Sequence, residues 1–280
     1  MNFSHVRRQL KRRAKPIRWL VSRFLLRTKL CRFFLIRSHG YVARFHPSEL
    51  SSDLWYDPRC RNEDIHFLKS YLKPGDSFVD VGANIGLWTL AAAVLAGKTG
   101  GVIALEPHPR IFKFLQTNVA LNHLENVELH NCAVGDQPGT VSFSDVKADD
   151  SNHVLSSPGG LSVPMVTLND VLASVSDIAL LKVDAEGYEK YVLNGAQKVM
   201  ARTRCVFIEI SQLELSRFGC SYHDVLTWLE EHGFGLYRVV AISALARVAP
   251  IAMRDVPLEN IVALRSASDF VNRTGWSIRE

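Results

Sequence analysis

Three short segments of this 280-residue chain have residue types and spacings that suit chemistry. The first is Asp80-Val81-Gly82-Ala83-Asn84-Ile85-Gly86. Gly82 and Gly86 have no Cβ, so a ligand can lie close against such a turn. A helix opening after Gly86 would add unpaired N–H groups, and Asp80 can accept from a cationic amine. The second is Glu106-Pro107, one strand–helix–strand unit later. A carboxylate at that strand end can accept from both hydroxyls of a ribose. The third is Lys182-Val183-Asp184-Ala185-Glu186. Two carboxylates just beyond an apolar run can orient a hydroxyl or take its proton.

Around this third segment several readings stay open. Lys182 alternates with Asp184, so both share one strand face; it either holds a site carboxylate or forms a structural ion pair. Glu189 falls in the first turn of the next helix, where an acid suits the dipole whatever its function. His153 is an alternative base or an exposed loop histidine. Glu209 ends a further apolar run, and with Asp184 it would give magnesium two carboxylates plus waters. Magnesium is a secondary reading, not the expected one. The turn after Asp80 lacks the G-x-G-x-x-G spacing of a dinucleotide site, which disfavours a nicotinamide oxidoreductase.

The elements that must position these residues alternate from about residue 60. Strands are expected at Ser77–Val81, Gly101–Leu105, Val127–Asn131, Ile178–Val183, Cys205–Ile210, Gly235–Val240 and Ile261–Leu264. Helices are expected at Asn62–Leu72, Leu87–Ala96, Arg110–Asn122, Tyr188–Met200 and Tyr222–Glu231, the last ended by Gly233. Ala133-Val134 and Thr140–Phe143, around Gly135-Asp136-Gln137-Pro138-Gly139, read as a hairpin. Residues 145–160 read as a mobile polar loop, Leu161–Val166 as an extra strand, and Leu168–Ala173 as a short helix capped by Thr167. This alternation predicts a doubly wound α/β domain, a mostly parallel sheet with helices on both faces. Its ligand site would lie beyond the carboxyl ends of the strands.

Charge divides the chain in two. Residues 1–44 hold thirteen Lys or Arg and no Asp or Glu; residues 45–280 hold twenty basic and twenty-eight acidic residues. The body is therefore acidic, which argues against nucleic acid as substrate. We divide the chain into a basic helical leader over 1–45 and a catalytic domain over 46–280. In the leader, Ile17, Leu20, Val21, Phe24, Cys31 and Leu35 fall on one helical stripe, and Leu26, Leu30 and Phe33 form a second apolar strip. Through residues 7–44 it can lie on an anionic membrane surface, or simply pack on the domain. An acid-poor, Arg-rich leader also suits an organellar presequence. No apolar run reaches the length of a spanning helix. Five cysteines without C-x-x-C spacing suggest reduced thiols in a cytoplasmic protein, without zinc or a disulfide framework.

Taken together, the turn at 80–86 and Glu106-Pro107 resemble the cofactor site of Rossmann-like class I methyltransferases. Later blocks narrow the resemblance to FkbM-type methyltransferases over roughly residues 60–240. They are Asn118 and Asn122, Ala133–Asp136, Thr167-Leu168-Asn169-Asp170, Lys182–Glu189, Asn194-Gly195-Ala196 and Ile208-Glu209. The family usually has Asp where this chain has Asn169. The resemblance implies a seven-stranded sheet and methyl transfer from S-adenosylmethionine to oxygen. The expected acceptor is a hydroxyl of a sugar, glycan or lipid-linked sugar; a small natural product is the alternative, and a non-catalytic module with the same fold is a further one. Carried over, Asp80, Gly82 and Asn84 line the methionine half of the cofactor, and Gly86 is a further cofactor-binding residue of the same turn. Glu106 takes the ribose, and Asn131–Ala133, with Cys132 and Ala133, flank the adenine. Asp184, Glu186 and His153 are the catalytic candidates.

Overall fold

The computed structural model describes residues 15–58, 62–146, 152–248 and 258–279. Cys60 and residues 7–14 of the leader lie outside the described residues. The leader is not one long helix. Helix α1 (Pro16–Thr28) stops where Lys29 turns left-handed, and a 3-10 turn follows over Leu30–Phe33. The chain then enters a hairpin of β1 (Leu35–Ser38) and β2 (Tyr41–Arg44), turned by His39 and Gly40 at positive φ. Helix α2 (Glu49–Tyr56) starts on Ser48, whose hydroxyl accepts from the Ser51 N–H.

The main sheet has the expected seven-strand array in doubly wound order. β3 (Ser77–Val81) is central, with β4 (Gly101–Leu105) and then β5 (Val127–His130) on one side. On its other side lie β9 (Ile178–Val183), β10 (Thr203–Ile210), antiparallel β13 (Glu259–Leu264) and β11 (Gly235–Ala241). Two further strands, β12 (Ala244–Arg247) and β14 (Ser277–Arg279), extend that edge to nine. β9 is buried along its whole length, as a central parallel strand must be. Successive strand residues feed opposite cores: Phe78 and Phe207 enter one, Val79 and Ile208 the other. α3 (Asn62–Tyr71), α4 (Leu87–Ala96), α5 (Pro109–Leu121) and α11 (Ala267–Thr274) cover the first face. α6 (Leu168–Val171), α7 (Glu189–Asn194), α8 (Gln197–Met200), α9 (Gln212–Leu215) and α10 (Tyr222–Glu231) cover the second.

Two local expectations change. The hairpin around Gly135 does not form. β6 (Ala133–Val134) and β7 (Gly139–Phe143) both pair with β8 (Leu161–Val166), which lies between them. The single helix expected over 188–200 breaks into α7 and α8, because the backbone at Gly195 packs on the Gly135 carbonyl with no space for a Cβ. In the described part of the 145–160 segment, residues 144–146 are hydrogen-bonded to residues 152 and 153. Asn152 Oδ1 accepts from Ser144 Oγ at 3.1 Å and Val146 N at 2.9 Å, and Ser144 N donates to the His153 carbonyl. The Asn169 departure is neutral in shape: its Oδ1 accepts from Lys198 N and Val199 N, a task either amide or carboxylate performs. Thr167 caps α6, its hydroxyl accepting from the Asp170 N–H.

Candidate functional site

The site lies where β3, β4 and β9 end. After Val81 the chain turns through Gly82 (φ +74°), Asn84 (+51°) and Gly86 (+95°). A Cβ on Gly82 would collide with the Asp184 carbonyl oxygen, and one on Gly86 would meet Leu115 on α5 at 2.6 Å. These glycines therefore admit protein backbone and a packed helix, as well as leaving the turn bare. Asn118 braces the turn from α5: its Nδ2 donates to the Ile85 carbonyl at 2.8 Å, and its Oδ1 accepts from Arg44 N at 2.9 Å. Asn122 clamps the same hairpin through Val42 N and O.

Glu106 is buried beside this turn. Oε2 accepts from Asn84 N at 2.8 Å and Oε1 from His108 N at 2.9 Å, so each oxygen keeps a lone pair for a further donor. Burial pushes its carboxyl up to about 7, against the pull of those two N–H groups. Asn131 Nδ2 holds the Glu106 and Pro107 carbonyls at 2.8 and 3.0 Å. Cys132 and Ala133 form the wall opposite, with Phe143, Asn152 and Val154 closing a narrow cleft. Burial raises the Cys132 thiol to about 11, so it is neutral wall material.

On the other side of Asn84 opens a second cavity of about 340 Å³. Trp88 and Phe207 line it with Leu50 and Asp53 of α2, and Glu209 and Glu214 line its acidic rim. Gly82, Asn84, Asp184 and Glu186 line both cavities, so the two meet at these four residues. The predicted carboxylate pair thus sits at the junction. Lys182 is buried below it, 3.3 Å from Asp80 Oδ1 and 3.2 Å from Asp184 Oδ2, and donates to the Gly82 carbonyl at 2.9 Å. Burial works against the Lys182 charge, but Asp184 and Asp80 outweigh it and hold its pKa above the ordinary lysine value.

Glu186 has positive φ (+52°) and a carboxyl raised to about 9, by burial first and then by the Asp184 and Glu214 charges. Glu189 shapes the loop that presents it: buried Oε1 accepts from both Ala185 N and Gly187 N at 3.0 Å. The sequence offered only a dipole role for Glu189. Its spacing behind a Gly-containing turn was the available signal.

Three candidates are placed differently from the sequence reading. Asp80 is fully buried and faces Thr89 Oγ1 (2.6 Å) and Lys182, rather than either cavity. Gly86 serves helix packing. His153 is not among the side chains lining the two cavities, although its neighbours Asn152 and Val154 line the narrow one. Glu209 and Asp184 do face one cavity, yet among the described residues no group of three or more His, Cys, Asp or Glu is arranged to hold a metal ion. Phe143, Trp88, Phe207 and Asp53 carried no motif that would mark them in the sequence.

The "Methyltransferase FkbM domain" model matches residues 80–236. A 31-O-demethyl-FK506 methyltransferase FkbM of Streptomyces tacrolimicus is 30% identical over 200 residues, covering 58% of this chain and 74% of that one. A hexuronic acid methyltransferase, AglP, of Haloferax volcanii is 27% identical, covering 61% and 71%. Methyltransferase 1 of Beauveria bassiana is 30% identical over 148 residues; the match spans 44% of this chain and 59% of that protein's length. Among solved structures, a SAM-dependent O-methyltransferase from Thermotoga maritima superposes with TM-score 0.43 at 15% identity, covering 84% of this chain and 78% of that one. Aeropyrum pernix fibrillarin with bound S-adenosyl-L-methionine gives 0.41 at 14% identity, covering 72% and 74%.

Proposed function

The chain belongs to the FkbM methyltransferases, a family of S-adenosylmethionine-dependent enzymes, and on that premise we propose that it methylates a hydroxyl of a sugar, glycan or lipid-linked sugar. The observation that carries this reading is the junction of two cavities at Asn84, Asp184 and Glu186, with buried Glu106 on one side and open space on the other. Glu106 suits the ribose diol, and Cys132 and Ala133 suit an apolar base face. When bound there, S-adenosylmethionine supplies a sulfonium-activated methyl group.

The protein's own work is then alignment and proton handling. Lys182 fixes the Asp184 carboxylate, which leaves Asp184 to orient the acceptor hydroxyl. Glu186, which lines the same junction, receives the proton as the oxygen becomes methylated. Asp80 acts through Lys182 as a positioning residue, and Glu189 acts through the 185–187 loop.

The hexuronic acid named in AglP's description supports a sugar acceptor. The FK506 derivative named for the Streptomyces relative favours the second reading, a small natural product. Incubating the protein with methyl-labelled cofactor and separated glycan, glycolipid and small-molecule fractions tests this. Label in a glycan or glycolipid fraction is expected; label only in small apolar products supports the second reading and overturns the first.

A further inference from the structure

Eight of the fifteen exposed large hydrophobic residues among the described ones lie between positions 17 and 35. Ile17, Leu20, Val21 and Phe24 follow i, i+3, i+4, i+7 spacing, so they form one outward stripe of α1. Ile17 is 77% exposed and Phe24 59%. Leu30 and Phe33 continue the apolar surface on the 3-10 turn, Phe33 at 70% exposure. Trp19, Ser22 and Leu25 face the other way and are buried, so the helix is already packed and still leaves this stripe in water.

The charges around the stripe are sorted. Cations on the inner side have acidic partners on the domain: Arg23 bonds Glu49 at 2.7–2.8 Å, and Lys15 lies 3.4 Å from Asp57. Arg18, Lys29, Arg32 and Arg37 are also exposed, and residues 1–44 themselves contain no acid. Residues 1–14 add five more cations. Bulky apolar side chains interleaved with exposed cations complement an anionic lipid surface.

We infer that this face of α1 and the 3-10 turn docks on an anionic bilayer and carries the acceptor cavity with it. The link is α2. Its Glu49, Ser52 and Tyr56 contact α1, through Arg23, through Ser22 at 3.2 Å and through the Lys15 N–H. Its Leu50 and Asp53 line the 340 Å³ cavity. One arc of α2 therefore packs on the docking helix while the adjoining arc lines the cavity, about 100° round the same short helix. An enzyme lying on this face would draw its acceptor from the membrane surface. That last step rests on the methyl-transfer reading; the docking itself does not.

Sedimentation of the full chain with vesicles tests the inference. Wild type should pellet with vesicles containing one-third phosphatidylglycerol and stay in solution with pure phosphatidylcholine. Phe24→Glu with Phe33→Glu should weaken that binding at least tenfold, and so should Lys29→Glu with Arg32→Glu. Both pairs are exposed, so unchanged melting temperature and cofactor affinity are expected and separate lost docking from lost folding or lost methyl transfer. Absence of pelleting with anionic vesicles overturns the inference. So does binding that both variants retain, or a Phe variant that alters only self-association by light scattering, since a second copy of the chain would then cover the stripe.

Discussion

The backbone of Gly82 lies so close to the carbonyl oxygen of Asp184 that a single added methyl would overlap it. The turn that begins one cavity and the loop that presents the carboxylates are thus in direct backbone contact. The Asp184 N–H also donates to the Val81 carbonyl, at 3.2 Å. Gly82→Ala, at φ +74°, must push the two segments apart. We expect cofactor affinity and turnover both to fall at least tenfold, with a lower melting temperature. Titration calorimetry and a thermal scan on the same preparation check this.

Lys182 is the cation buried between Asp80 and Asp184. Lys182→Met keeps the apolar stem but strands a carboxylate that is wholly shielded from water. Removing one partner from a buried pair costs about 3–5 kcal/mol. At roughly 2–4 °C per kcal/mol for a chain of this size class, the melting point should drop on the order of 10 °C. Adding Asp80→Asn should recover part of that stability without restoring turnover, because Asp184 still lacks its anchor. A double-mutant cycle by thermal denaturation measures both.

Burial holds the Glu106 carboxyl at about 7, above the ordinary carboxylate value of 4.5. The protonated form is the one favoured by the fold, and the ionised form is the one that accepts from a ribose diol. Cofactor affinity should therefore strengthen as pH rises through about 7, and Glu106→Gln should bind weakly at every pH. The same raised value means that this group's contribution to stability is full below pH 4.5 and declines as pH climbs to about 7. Calorimetric titrations at pH 6, 7 and 8 separate this from a flat profile.

Glu186, raised to about 9, should govern turnover on its own limb of the pH profile. If it receives the acceptor proton, kcat rises with pH up to about 9 and then levels. Glu186→Gln removes that limb and costs about 10²–10⁴ in kcat, the usual weight of a general base, with cofactor affinity little changed. A rising limb that persists in the variant would contradict this role for Glu186.

The backbone architecture was legible because its signals are local. β3, α4, β4 and β9 come out with the expected bounds, each bracketed by Gly or Pro or by an abrupt change in polarity. The errors share a long-range cause. Nothing near Gly135 announces that β8, some thirty residues on, will insert beside β6. Nothing near Asn194 shows that Gly195 must meet the Gly135 carbonyl and split a helix. In the site, Glu106, Asp184 and Glu186 were legible as carboxylates at strand ends. The role of Asp80 was not, because only the β3–β9 register, Asp80 opposite Lys182, turns it inward. Leader periodicity found the outer stripe of α1, but not the Lys29 turn that ends it.

The most direct test of the account is calorimetric titration of folded protein with S-adenosylmethionine and with its demethylated product, for wild type and Glu106→Ala. We predict saturable heat at one site for both ligands, and at least a tenfold loss of affinity in the variant at a temperature well below its own melting point. No heat from either ligand, or equal binding by the variant, would contradict it.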